Sequence, residues 1–503
     1  MEDTRRRIEP MDLKNNFCLA EKRLEDLENN FENNEWLANK YKDLLKDQQS
    51  KGIIEECSRD AKEYFMPHRA VVRTNKDNTK VHMVFNCSLK AKLNLSLNDY
   101  LETGPNLNPN VLDIISNFRK FKIAFCADIE KAFLMIGISK EDRKFLKFLW
   151  LSENTNEDYK KVHMTRLPFG CKSLPFILSA TIKRHIKQYR NNKPECVEML
   201  ISSLYVDDLY FGGNSVEEEF KLSSEAVLIL RDASMILRKL KTNSEKLRSL
   251  WMQNGLSDDD DTCISDRELK VLSLKWNLVN DEFSLDIARL MECLKSLKST
   301  TCYVLSIAAM IFDLIGFPGP FVVRIKCLLQ EIWERGIGWD EELPDDVKIK
   351  WTNWCSELMV LKYCRYLNDK GDISVSFVTS ESRVVPLKKL MLPRLELTAA
   401  VIGARIGKYL GDIFKDLIDK FVYWTDSLIV LFWIKGSVKQ WKQFVSNRVV
   451  EVQEKSDPRS WNHCSGKDNP ANLVSRGVPA QSLLEGDHWW CGPHWLKRKN
   501  NFF

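Results

Sequence analysis

The sequence predicts an α+β protein of several domains, on three observations. The chain has 503 residues, too many for one ordinary domain. Helix-periodic stretches gather at the N-terminus and over residues 290–360, while short strand-like runs fill the region between and return from Ile373. Two of those runs, "KIAFCAD" and "SLYVDD", end in carboxylates, which strands disfavour.

Taken in order, residues 1–60 are polar, with apolar residues at three- and four-residue intervals in "LAEKRLEDLENN" and "WLANKYKDLLKDQQSKG". Two helices are expected, the second ended by Gly52. "HRAVVRT" and "KVHMVFNCS" flank the polar turn "NKDN" and predict paired strands. The loop "ETGPNLNPNV" precedes a helix over "VLDIISNFRKF". "KIAFCADIEKAFLMIGI" starts as a strand and becomes a helical turn at Ile129. "FLKFLW" and "KVHMTRL" read as a hairpin around "SENTNED", and "PFGCKSLPFILSATIKRHIKQYR" as a turn feeding a helix that ends near Asn191. One long helix is expected over Val216 to Leu240, then a strand pair in "ELKVLSLKWNL". Strands return from Ile373, and a helix follows Pro393.

Composition excludes little. Hydrophobic residues make up 44% and charged residues 29%, ordinary for a soluble protein. A net charge of +5 permits a nucleic-acid partner without demonstrating one. "MEDTRRRIEP" has no apolar core, so no secretory signal is expected, and the location expected is cytoplasmic. The stretch most like a membrane span, Val304 to Val323, contains Asp313, Pro318 and Pro320 and reads as a buried helix followed by a bend. No membrane partner is expected. The 14 cysteines form no CxxC pair, and neither His463–Cys464 nor Cys491 with His494 has zinc spacing, so reduced thiols are expected. The aspartate run in "SDDDDTCISD" lacks the glycine and spaced ligands of a calcium loop and reads as solvated.

Asp207 and Asp208 in "LYVDDLYFGG" admit two readings. They form a hairpin turn between Leu204–Val206 and Leu209–Phe211, or they hold a hard divalent cation that neutralises two neighbouring carboxylates. Asp128 adds a third carboxylate at the end of another strand. Three acids on two strand ends can hold two Mg²⁺ ions for phosphoryl-type transfer.

The phrases "CADIEKAFLMIGI", "LPFGCKSLPF", "LYVDDLYFGG" and "KVLSLKWN" stand in the order and spacing of a reverse transcriptase. With "YFMPHRAVVR", "LNLSLNDYLETGPNLNPNVLDII", "LPRLELTAAV" and "NPANLVSRG", the chain from about residue 18 resembles the polyprotein of Pao/BEL-type long-terminal-repeat retrotransposons. The resemblance implies a right-hand polymerase with fingers, palm and thumb, a helical connection, and an incomplete ribonuclease-H-like α/β domain. The division expected is an N-terminal helical segment over 1–60, the polymerase over 61–285, the connection over 286–365, the degenerate ribonuclease-H-like domain over 366–485 and a linker stub over 486–503.

The family implies roles residue by residue. Asp128, Asp207 and Asp208 resemble the catalytic, metal-binding aspartates of the palm. Phe133 holds the position of the aromatic gate that excludes a ribose 2′-hydroxyl. Phe169 and Gly170 resemble the loop that packs on the nascent base pair, with Lys172 near the template. Lys76, Lys80 and His82 lie in the fingers strands beside the nucleotide. "LSLKWN" resembles the primer-gripping hairpin, which makes Lys275 and Trp276 nucleic-acid contacts. Implied with these are an RNA template, a DNA primer or duplex, deoxynucleoside triphosphates, and two Mg²⁺ ions with Mn²⁺ as a substitute. The family also implies replication in a virus-like particle. Oligomeric state is left open.

Departures from the pattern imply a truncated, degenerate copy. His82 replaces an arginine on the triphosphate, Asn86 an acidic residue, Leu174 a small residue and Ser273 a glycine. Glu396 and Asp426 resemble two carboxylates of a ribonuclease H site, but Asn472 replaces a third, and the strand carrying the first is missing. Ribonuclease H activity is therefore expected to be lost, and Ile373 to Thr379 is expected to pair directly with "KFVYWTD". The alternative to an active polymerase is a catalytically inactive nucleic-acid-binding remnant.

Overall fold

Leu24, Leu27 and Phe31 recur at helical spacing, as do Leu37, Tyr41 and Leu45. These stripes are the buried faces of two helices, Phe17–Glu32 and Glu35–Ser50. Asn34 caps the second by accepting from the Leu37 N–H at 3.1 Å, and Gly52, at φ +62°, follows its end as expected. The computed structural model describes residues 13–57, 63–74, 79–90, 94–152, 159–257, 268–272, 274–296, 298–311, 313–358, 375–385, 390–415 and 417–497. The chain folds as two compact units, Met1–Asn110 with Phe121–Asp261, and Val111–Lys120 with Thr262–Phe503.

The first unit holds nine strands among its described residues: β1 Ile54–Glu56, β2 His68–Thr74, β3 Thr79–Phe85, β4 Ile123–Ile129, β5 Lys147–Leu151, β6 Tyr159–Met164, β7 Leu204–Tyr205, β8 Asp208–Gly213 and β9 Leu237–Thr242. They form an antiparallel β2–β3 pair, a sheet ordered β1-β6-β5, and a four-stranded sheet ordered β7-β8-β4-β9. Alternate apolar residues of β4 and β8 pack on the helices Leu174–Ile186, Pro194–Ser203 and Val216–Asp232 in one core.

Polar groups tie the N-terminal helices to the strands. Asn16 accepts from the Phe65 N–H at 2.8 Å and donates to the Phe65 carbonyl at 2.7 Å. The Tyr41 hydroxyl lies 2.7 Å from His68 Nδ1, and His68 Nε2 lies 3.0 Å from the Leu149 carbonyl. A carbonyl only accepts, so Nε2 carries the proton and Nδ1 accepts from Tyr41. Burial pulls His68 down to about 4 and keeps the ring neutral.

The expected long helix over Val216 to Leu240 is two elements. The helix ends at Asp232, Ser234 takes φ +58°, and Leu237–Thr242 is a strand. Pairing with β4 decides this segment, because Leu237, Leu240 and Thr242 fill the core from β9.

In the second unit, β10 Glu268–Val271, β11 Leu274–Asn277 and β12 Glu282–Leu285 form an antiparallel sheet, one strand more than expected. The stretch 304–323 is a helix, Thr301–Met310, then a bend, then the start of the helix Gly319–Glu334, as the prolines imply. At the bend Gly316 has φ +82°, and a Cβ there would fall 2.1 Å from the Ser380 carbonyl oxygen. Phe321, Trp351 and Trp354 stack at the centre of this helical core. Among the described residues, no helix is long and apolar enough to cross a membrane.

Further along lie the helix Leu392–Ile413, β13 Tyr423–Thr425, the helices Leu428–Lys435 and Gln443–Lys455, and β14 Trp461–His463, which pairs parallel with β13. The expected strand from Ile373 is not formed by its described part. Thr379 Oγ1 and the Ser380 N–H donate to the Ile315 carbonyl instead, at 2.8 and 2.9 Å. Ile373 and Ser374 themselves lie outside the described residues.

Candidate active site

In the four-stranded sheet Asp128 of β4 is directly opposite Asp208 of β8. Directly opposed residues of an antiparallel pair project from the same face, so two carboxylates share one side of the sheet. Asp207 precedes Asp208 in the β7–β8 turn, and its carbonyl accepts the Ile129 N–H at 2.8 Å. The strand ends and the turn are thus locked together by backbone bonds.

Burial pushes the Asp208 carboxyl up to about 6, helped by the charges of Asp207 and Asp128 and opposed by the Tyr210 hydroxyl, which donates to Oδ2 at 3.1 Å. Burial and the Asp128 charge also raise Asp207. Cys126, one strand repeat before Asp128, is pushed up to about 12 by burial and then by Asp208. Two cations answer this negative field. Lys239 Nζ stands 3.1 Å from Asp128 Oδ2, and Arg238 Nε 3.8 Å from the same oxygen, while Arg238 Nη1 also reaches Glu130 at 3.0 Å. Asp128 Oδ1 is buried and has no hydrogen-bond partner. Among the described residues, no three His, Cys, Asp or Glu side chains form a ready ligand cage, here or elsewhere. The chemistry available is that of clustered hard oxygens, one of them uncommitted, which suits a cation such as Mg²⁺.

Phe133 and Phe169 meet edge to face with ring centroids 5.3 Å apart. Phe133 stands on a short 3₁₀ turn, Ala132–Met135, and is partly buried; Phe169 is 40% exposed. The Phe169 carbonyl accepts the Phe85 N–H at 3.0 Å, fastening the loop to the end of β3. Gly170 has φ +125°, and a Cβ would lie 2.1 Å from the Phe85 carbonyl oxygen, so only glycine permits this approach. The Lys172 N–H donates to Asn98 Oδ1 at 2.9 Å, and Asn98 donates to the Gly170 carbonyl. His82 is exposed on β3 opposite Val71, and Lys80 is on the same strand opposite Arg73. Lys76 and Ser273 lie outside the described residues.

Trp276 corrects an expectation. Its side chain is fully buried in the second unit, packed 4.8 Å from the Phe118 ring, with its N–H donated to Asp281 at 2.8 Å. Alternation along β11 turns Leu274 and Trp276 into the core, so the indole supports the sheet and offers no surface to nucleic acid. Lys275 points the other way and pairs with Asp286 at 3.7 Å.

Glu396 is half-buried in the second turn of the helix Leu392–Ile413. Asp426 follows β13 and accepts from Asn472 Nδ2 at 2.8 Å, while the same amide nitrogen lies 2.8 Å from the Gly466 carbonyl. Asn472 is thus brought to Asp426, as a hydrogen-bond donor.

Three residues here carry weak sequence signals. Lys239 and Arg238 lie in "LRKLKT", whose charges disguise a strand. Asn108, in a loop without periodicity, accepts the Val206 N–H through its side chain at 3.3 Å.

Residues 74–275 match the family model of reverse transcriptase (RNA-dependent DNA polymerase), and residues 300–362 and 359–427 match that of the Pao retrotransposon-like RNaseH-like domain. Among solved structures, the foamy viral protease-reverse transcriptase dRH in complex with double-stranded DNA is similar at TM-score 0.55 and 16% identity, over 86% of this chain and 70% of that one. The foamy viral protease-reverse transcriptase with an RNA/DNA hybrid is similar at 0.52 and 17%, over 86% and 54%. The same protein with double-stranded DNA is similar at 0.53 and 15%, over 85% and 83%. At these identities the likeness is one of fold.

Proposed function

We propose, on the premise that the chain belongs to the reverse transcriptases of Pao-type retrotransposons, that it copies RNA and DNA templates into DNA by two-metal nucleotidyl transfer during retrotransposon replication. The opposition of Asp128 and Asp208, with Asp207 in the adjoining turn, carries this reading. The four-stranded sheet is then the palm and the β2–β3 pair part of the fingers. The substrates are an RNA template, a DNA primer or duplex, and deoxynucleoside triphosphates.

The residues present fit Mg²⁺, because the donor set is carboxylate and Asp128 Oδ1 is a buried acceptor without a partner. Asp128, Asp207 and Asp208 would hold Mg²⁺ or Mn²⁺, which would supply activation of a primer 3′-hydroxyl and neutralisation of phosphate charge. The Phe133 ring, braced by Phe169, bounds the sugar and excludes a 2′-hydroxyl. Gly170 lets the loop lie against β3, so that Lys172 reaches the template.

Primer extension on an RNA template tests the reading. Extension with Mg²⁺ is expected, with loss in EDTA and in Asp207→Asn, while template binding is largely kept because phosphate contacts elsewhere supply most of that affinity. Undiminished extension by Asp207→Asn would overturn it. One observation favours the second reading, an inactive nucleic-acid-binding remnant: the strand proposed to face the nucleotide carries His82, which lacks the permanent charge of an arginine. Template binding without extension under any metal condition would decide for that reading. In either case the ribonuclease-H-like domain is proposed to be inactive.

A further inference from the structure

The turn that carries the paired aspartates is strained at one residue. Val206, immediately before Asp207, has φ +59°. A β-branched side chain crowds its own backbone in this left-handed region, so such a residue persists only where its surroundings hold it. The holding group is a side chain from a distant loop. Asn108 Oδ1 accepts the Val206 N–H at 3.3 Å, and the same oxygen accepts the Ser179 hydroxyl at 2.7 Å.

That loop is itself fixed. Ser179 is buried on the helix Leu174–Ile186, and Lys183, one turn further on, donates to the Leu107 carbonyl. Upstream, Gly104 at φ +73° lies flat on the Phe176 ring of the same helix, where a Cβ would stand 2.3 Å from the ring. The contacts therefore run from one helix, through Asn108, to Val206 and the aspartates.

We infer that Asn108 is the positioning residue of the aspartate turn: its side-chain oxygen holds Val206 in the conformation from which Asp207 and Asp208 are presented. The role needs a neutral acceptor able to take two donors. An aspartate at 108 would add a fourth negative charge beside three, and an alanine would leave both the Val206 N–H and the Ser179 hydroxyl unpaired. The catalytic consequence rests on the polymerase reading; the conformational one does not.

The test is a double-substitution cycle of Asn108→Ala and Val206→Gly in the full chain. It is read by Mn²⁺ affinity from electron paramagnetic resonance, by kcat and nucleotide KM in primer extension, and by the urea midpoint of unfolding. Asn108→Ala is expected to weaken Mn²⁺ binding and to lower kcat about tenfold each, the cost of one lost hydrogen bond, with KM nearly unchanged. Glycine adopts the left-handed conformation unaided, so in the Val206→Gly background the Asn108 substitution should cost little in Mn²⁺ affinity or kcat, and should lower the urea midpoint less than it does beside Val206, by the unpaired Ser179 hydroxyl alone. Additive effects, or a loss confined to the urea midpoint with Mn²⁺ affinity intact, would overturn the inference. A wild-type chain that binds Mn²⁺ but extends no primer would sink the polymerase reading alone, with the Mn²⁺ cycle still deciding the role of Asn108. If the wild type binds no Mn²⁺ either, additivity in the urea midpoint overturns the inference and non-additivity upholds its conformational core.

Discussion

Lys239 Nζ lies 3.1 Å from Asp128 Oδ2, so an ammonium stands beside one of the three acids proposed to hold the cations. Lys239 has φ +52°, a conformation uncommon for its type, and it is well exposed. An exposed partner of this kind is displaced at little cost. Lys239→Met is expected to tighten Mn²⁺ binding about two- to fivefold, because Asp128 loses a competing cation. Weaker Mn²⁺ binding would mean instead that Lys239 orients the carboxylate.

Glu219 sets a pH dependence of stability. Both its oxygens are buried without partners beside Gly213, and burial, then Glu218, pushes the carboxyl up to about 8 from an ordinary 4.5. Between those values the unfolded chain ionises while the folded one keeps its proton. Stability from this group is therefore full below the ordinary value and falls as pH rises, by about 1.4 kcal/mol per unit, until the folded carboxyl ionises too. The urea midpoint of Glu219→Gln should lack this decline between pH 5 and 8. Parallel profiles for the two proteins would refute it.

His82 is proposed to face the nucleotide. An arginine there forks onto phosphate oxygens and stays charged, whereas histidine is mostly neutral at pH 7. His82→Arg is expected to lower the nucleotide KM roughly ten- to a hundredfold, the worth of one charged hydrogen bond. An unchanged KM would assign the triphosphate to Arg73, Lys76 or Lys80.

The ribonuclease-H-like domain should not cleave. Asn472 meets Asp426 as a donor at 2.8 Å, and a neutral amide beside it does not share a metal as a second carboxylate would. A labelled RNA–DNA hybrid is expected to stay intact in Mg²⁺. Fragments released by the wild type and lost on Glu396→Gln would overturn this.

Much of the site was legible because its residues break a local rule. Asp128, Asp207 and Asp208 interrupt apolar strands, and the opposition of Asp128 and Asp208 is the physical reason. Gly170 was legible within its turn, though the carbonyl that demands a glycine comes from β3. What stayed hidden is set by tertiary pairing. Lys239 reads as part of a helix until β4 recruits "LRKLKT" as a strand. Trp276 reads, with Lys275, as a nucleic-acid contact until Phe118, far away in sequence, packs on it. Asn108 shows no periodicity, and only the fold brings it to Val206.

The hydrogen-bonded relay from Tyr41 through His68 to Leu149 has a practical consequence for anyone trimming this chain to a minimal polymerase. Cutting away the two N-terminal helices together with Asn16 would leave a neutral imidazole acceptor and the Phe65 peptide group facing vacated space, and would uncover the Trp150 ring that Phe31 and Tyr41 cover. The N-terminal helices are the outer layer of the core that also holds β3 and β5, and a shortened version should be sticky and poorly soluble long before its chemistry is impaired.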